Sequence, residues 1–198
     1  MKNAIFLIAA SAIFTSAWAG NVQIQVLDRE GKPVPDAVVV VYPGATAGAA
    51  PSLLQPSPTI EQERMRFVPA VTVVMPGTTV RFTNQDRWDH HVRGNPTGVA
   101  AAAAPAAPSS NFELRLAGKA DGKPANFADV KLDTPGVVLL GCHLHGSMRG
   151  HVFVTDSAWT LKTDNDGIAR FASVPDGAAQ VRVCLLYTSP SPRDKRQS

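Results

Sequence analysis

Residues 137–154 read VVLLGCHLHGSMRGHVFV, two apolar runs on either side of the segment GCHLHGSM at 141–148. Val137–Leu140 and His151–Val154 are rich in β-branched and large apolar residues and read as strands. Between them Cys142, His145 and Met148 recur every third residue, in the order C-x-x-H-x-x-M. A short loop pinned by a strand at each end can wrap three such side chains around one ion. A soft thiolate, a borderline imidazole and a weak thioether together suit copper better than any other common metal. The set lacks one imidazole, and Asp89-His90-His91-Val92 can supply it.

The same alternation extends in both directions. VTVV (71–74), the turn Met75-Pro76-Gly77 and TTVRFTN (78–84) predict two successive strands upstream of the two histidines. FELRL (112–116) and Phe127–Leu132 predict further strands. The Ala/Pro/Gly-rich stretch 94–110 reads as an insertion with little core-forming power, either a docking surface or a low-complexity loop. Near the beginning, VQIQVLD (22–28) alternates with period two and AVVVVY (37–42) predicts a more buried strand. Residues 43–59 read as a connector. LKTDNDGIARFASVPDGAAQVRV (161–183) carries TDNDG and VPDG turn signals and predicts another hairpin. The whole predicts an all-β chain.

Both ends call for separate reading. Residues 1–19 have a positive Lys2, an apolar run and the Ala17-Trp18-Ala19 cleavage pattern of a secretory leader, too short for a membrane span. The expected location is an exported compartment, most simply a bacterial periplasm. Residues 184–198, CLLYTSPSPRDKRQS, read as the translation of a transposase sequencing adapter rather than as protein. Lys2 contributes +1 and the tail a net +2, which accounts for the whole formal charge of +3. No nucleic-acid partner or anionic membrane is therefore expected from charge. Setting Cys184 aside also leaves Cys142 without a disulfide partner, and a lone thiol beside His and Met favours metal.

The stretch FVPAVTVVMPGTTVRFTNQD (67–86), followed by His90 and the C-x-x-H-x-x-M loop, resembles the cupredoxin superfamily of plastocyanin, amicyanin and pseudoazurin. Among its members the chain looks nearest to exported bacterial proteins of the methylamine utilisation protein type. The resemblance covers about residues 60–156. It implies a Greek-key cupredoxin β-sandwich, one type 1 copper ion and electron transfer to a redox protein partner. It also implies His90, Cys142, His145 and Met148 as the metal ligands. His91 competes with His90. Alternation puts the two on opposite faces, which leaves His91 as a group bracing the Cys loop or a surface imidazole. Met148 competes with a plain core-filling role. His143 should point away from the metal, beside a Leu144 core contact, with a weak second metal site on His91 and His143 as the lesser reading. His151 reads as an exposed strand residue, Met65 and Met75 as packing residues, and Asn84 and Asp86 as ties within the upstream loop.

Residues 20–59 and 157–183 resemble the two halves of a carboxypeptidase-regulatory or transthyretin-like domain. The cupredoxin-like unit would then be inserted into a loop of that small sandwich. The alternative is one enlarged sandwich with extra strands. Functionally, the expectation is a non-enzymatic electron carrier. The competing expectations are a copper-binding or delivery protein and an exported interaction module with a secondary metal site. A hydrolase is disfavoured because no serine sits in a nucleophile-elbow context. Oligomeric state stays open.

Overall fold

The computed structural model describes residues 19–44, 54, 57–97 and 111–186. The leader, most of the first connector, the 98–110 part of the Ala/Pro segment and the final residues 187–198 lie outside the described residues. All regular structure in the described residues is β-strand, fourteen strands in all.

Nine of them build the larger sandwich. One sheet runs β5 (Val71–Val74), β11 (Arg149–Val154), β10 (Gly136–Cys142), β7 (His90–Thr97), β8 (Phe112–Leu116). The facing sheet runs β4 (Arg66–Val68), β3 (Thr59–Glu63), β6 (Thr78–Asn84), β9 (Asn126–Leu132). The chain passes from β6 to the opposite sheet for β7 and β8, returns for β9, and crosses again for β10 and β11. This is a Greek-key sandwich, and the expected all-β class holds. Two pairings are parallel, β3 with β6 and β5 with β11, and the rest are antiparallel.

Period-two alternation explains the core. Val80, Phe82 and Asn84 of β6 turn inward, as do Val138, Leu140 and Cys142 of β10. All of these but the polar Asn84 form one buried cluster with Ile60, Phe67, Val92, Leu116, Leu132, Met148, Val152 and Val154.

The remaining strands pair the beginning of the chain with its end. β1 (Ala19–Gln25) lies antiparallel to β13 (Ile168–Pro175). β2 (Val38–Pro43) is flanked by β12 (Trp159–Lys162) and β14 (Ala179–Cys184). β2 is apolar at successive positions because it is buried on both faces. Val39 and Val41 pack with Trp159, Phe171 and Val174, while Val38 and Val40 pack with Val71 and Phe153 of the larger sandwich.

Several expectations need correction. β7 does not stop at the start of the Ala/Pro segment but continues through Gly94, Asn95, Pro96 and Thr97, paired with Leu140 to Val137. Among the described residues β8 pairs with β7 only as far as Gly94, so no described strand faces Pro96 on that side, where a proline is tolerated. Met65 is exposed rather than packed, because it sits in the tight β3–β4 turn, where Arg64 and Met65 both have positive φ.

Candidate metal centre

Strand register brings the first two site residues together. Cys142 closes β10 and faces Val92 of β7, and His90 lies two residues before Val92 on the same face. Both side chains therefore point into the sandwich, and His90 is 1% exposed. His145 comes from the loop that follows. That loop is held by the His143 N–H donating to the His91 carbonyl at 2.9 Å and the Met148 N–H donating to the His145 carbonyl at 3.0 Å.

The three donor atoms converge. His90 Nδ1 lies 3.2 Å from His145 Nδ1 and 3.6 Å from Cys142 Sγ, and His145 Nδ1 lies 3.5 Å from that sulfur. A point equidistant from all three is about 2.0 Å from each, close to the bond length from a first-row metal to an imidazole nitrogen. Among the described residues this is the one group of three or more His, Cys or acidic side chains gathered closely enough to hold a metal. Met148 is buried in the same cluster as Cys142, and His145 is half-buried. The donor set fits a soft or borderline metal ion.

The far side of His90 fixes its chemistry. Its Nε2 lies 2.9 Å from Asp86 Oδ2 in a buried contact. A carboxylate can only accept, so Nε2 carries the proton and Nδ1 presents a lone pair to the cluster. The same carboxylate accepts the Arg64 N–H at 2.6 Å and the Met65 N–H at 3.0 Å. Burial pushes the Asp86 carboxyl up, but the Met65 N–H, the His90 ring and the Arg64 N–H outweigh it and hold the group below its ordinary value. Asn84 clamps the loop from beneath. Its amide donates to the carbonyls of Trp88, Leu116 and Ala117, and its Oδ1 accepts the Asp86 N–H.

The structure separates the two adjacent histidines. His90 joins the cluster, whereas the His91 ring turns to the Glu113 carboxylate at 3.1 Å. His91 braces the Cys loop through its main-chain carbonyl, not through its imidazole. His143 is exposed, and its ring meets that of His91 edge-on at 5.7 Å. Leu144 was expected in the core but is 55% exposed, because a tight loop that turns His145 inward turns its neighbour outward. His151 was expected to be exposed and is half-buried, with an unpartnered Nδ1. Trp88, near the site in sequence, is exposed. Asp86 is the residue whose role sequence reasoning missed. Its one signal was the spacing to His90, four residues that alone do not distinguish a ring partner from ordinary turn chemistry.

No protein-family model and no curated protein matches the chain. Solved structures do show likeness. A copper-containing nitrite reductase from Thermus scotoductus SA-01 is 22% identical over 56% of this chain, with a TM-score of 0.39. The chain spans only 27% of that reductase. A mutant fern plastocyanin is 23% identical over 49% of this chain and 99% of its own, with a TM-score of 0.38. Amicyanin from Paracoccus versutus is 17% identical over 58% of this chain and 97% of its own, with a TM-score of 0.35. At these values what the site can do follows from its own side chains.

Proposed function

We propose that the chain is an exported one-electron carrier of the cupredoxin superfamily, holding one type 1 copper ion on His90, Cys142, His145 and Met148. The observation that carries this reading is the convergence of two imidazole nitrogens and one cysteine sulfur within 3.2–3.6 Å of one another. Buried Met148 adds a soft donor at the end of the same loop. Copper is preferred over zinc for a thiolate and thioether set, and Cu(II) stands above zinc in the affinity order. When bound, copper would supply a one-electron Cu(I)/Cu(II) couple.

The protein's part is to hold the donors still. His90 and Cys142 sit on paired strands, Asp86 fixes the His90 ring, and two main-chain hydrogen bonds fasten the loop. Donors held in this way change little between oxidation states, which favours rapid electron exchange. His145 reaches the surface only partly and the other three donors are buried, an arrangement suited to passing electrons rather than releasing the ion. The proposed partner is a redox protein, the proposed location the periplasm, and no catalytic turnover is assigned to the chain. No helix of the described residues is long and apolar enough to cross a membrane.

The small β module is proposed to be a carboxypeptidase-regulatory or transthyretin-like sandwich, made from about residues 20–59 and 157–183, into which the copper sandwich at 60–156 is inserted. The pairing of β1 with β13 and of β2 with β12 and β14 supports that reading. Copper delivery is the second reading, favoured by the partial exposure of His145. The two are separated by a reductive titration and a chelator challenge. A carrier takes up one electron per copper reversibly and keeps Cu(I) against a Cu(I) chelator. Rapid and complete transfer to the chelator supports delivery instead.

A further inference from the structure

The outer face of the β5–β11–β10–β7–β8 sheet carries arginine and histidine toward its metal end. Cross-strand register lines up Arg149, Gly141, Arg93 and Glu113 in one row. The next row toward the metal end holds His91 opposite Arg115, with the His143 ring beside it. The next row away holds His151, Leu139 and Asn95. The chain has five histidines, and the three that are not in the metal cluster all lie on this face. Glu113 is the one acid in these rows and is bound to Arg93 at 2.7 Å. Arg149 and Arg115 have no acidic partner among the described residues. The adjoining sequence 98–110 contains no Asp or Glu that could neutralise them.

Gly141 leaves the middle of this face without a side chain. Arg93, Asn95, His143 and Arg149 stand around a recess of about 280 Å³ whose floor is formed by residues 139–142. That floor runs directly into Cys142. The Arg149 guanidinium lies over Gly141 with one nitrogen donating to the Met148 carbonyl, and Arg93 shares its charge with Glu113, so Arg149 is the cation of the two left without an acid among the described residues, and a partner carboxylate would bridge from it to Arg93.

We infer that this recess is where an acidic surface of the redox partner docks, with its carboxylates between Arg93 and Arg149, for electron exchange through the Gly141–Cys142 main chain. The inference rests on the carrier reading only for the electron step, in which the partner loses one electron as the site gains one. The docking step rests on charge complementarity, which acts mainly on encounter rate and salt dependence.

The test has two arms on the full chain. In the first, a hexaglutamate peptide is titrated into the metal-free protein and followed by amide NMR, beside hexalysine and inorganic phosphate. Saturable shifts centred on Arg93, Gly141 and Arg149 are expected. Binding should weaken at least about tenfold in Arg93→Gln/Arg149→Gln and at about 0.5 M salt, where screening is nearly complete beyond a few ångströms. Shifts spread evenly over the surface overturn the proposal, and so does phosphate binding as tightly as the peptide. In the second arm, the copper-loaded protein, first reduced to the Cu(I) form, is oxidised by hexacyanoferrate(III) or by a tris-phenanthroline cobalt(III) cation. The double variant should lose several-fold in rate with the anion but not with the cation, at an unchanged visible band. Equal rates with the anion overturn the electron route. Failure to load copper would sink the carrier reading while leaving the peptide arm to decide the docking surface.

Discussion

The two faces of the β5–β11–β10–β7–β8 sheet carry opposite chemistry at single-residue spacing. Along β10, Val138, Leu140 and Cys142 point into the core, while Val137, Leu139 and Gly141 point out. The inner face ends in a ligand cluster. The outer face divides in two. Its lower rows, with Val71, Val137 and Phe153, are covered by Val38 and Val40 of β2 and by neighbouring residues, and its upper rows bear arginine and histidine. A register slip of one residue would exchange the faces, so the apolar inner row specifies the site as strictly as the ligands themselves do.

Exchanging adjacent histidines breaks the comparison most directly. His90→Ala removes an inward donor and should weaken metal binding by at least about 100-fold, more than losing a group that stands behind a ligand. His91→Ala, on the outer face, should leave metal affinity and spectrum unchanged. Isothermal titration of both variants with copper checks the pair, and equal losses would contradict the assignment of faces.

Asp86→Asn comes next. It keeps the shape but removes the charge that orients His90 and holds the Arg64–Met65 turn. A loss of about 10–100-fold in metal affinity is expected, with a lower denaturation midpoint in the metal-free chain. Wild-type affinity in this variant would mean that packing alone fixes the ring.

Leu140→Ala and Leu139→Ala compare the faces by stability. Leu140 is fully buried, so its truncation should cost about 2–5 kcal/mol. Leu139 is only half-buried and should cost about 1 kcal/mol or less. Urea unfolding of the two variants gives both values.

The smallest effect concerns pH. Burial holds the His151 imidazole below its ordinary value. The fold accommodates the neutral ring, so its contribution is complete above the unfolded-chain value near 6.5 and is lost as pH falls toward the lowered folded value. His151→Phe should flatten that part of the acid limb in unfolding midpoints measured against pH. An unchanged limb would assign it to other groups.

What the sequence disclosed follows from distance along the chain. Cys142, His145 and Met148 share one loop, so their spacing is visible without a fold. The resemblance favoured His90 over His91, and alternation agreed by placing the two on opposite faces. Asp86 was opaque because its role depends on the β3–β4 turn arriving beside it, more than twenty residues away in sequence. Gly94 and Pro96 hid the length of β7, since they look like loop residues until β10 is seen pairing with them. Leu144 misled for a related reason: an apolar residue between two ligands reads as core, yet the loop's curvature turns it to solvent. The basic outer face was invisible because its residues come from separate strands and meet only through register.

The central claim is that His90, Cys142, His145 and Met148 hold one copper ion through a thiolate. It is tested most directly by titrating Cu(II) into the metal-free chain while recording the visible spectrum. An intense thiolate-to-copper charge-transfer band is expected, saturating at one ion per chain and absent in Cys142→Ala. A colourless titration, or a band that survives Cys142→Ala, would contradict the account.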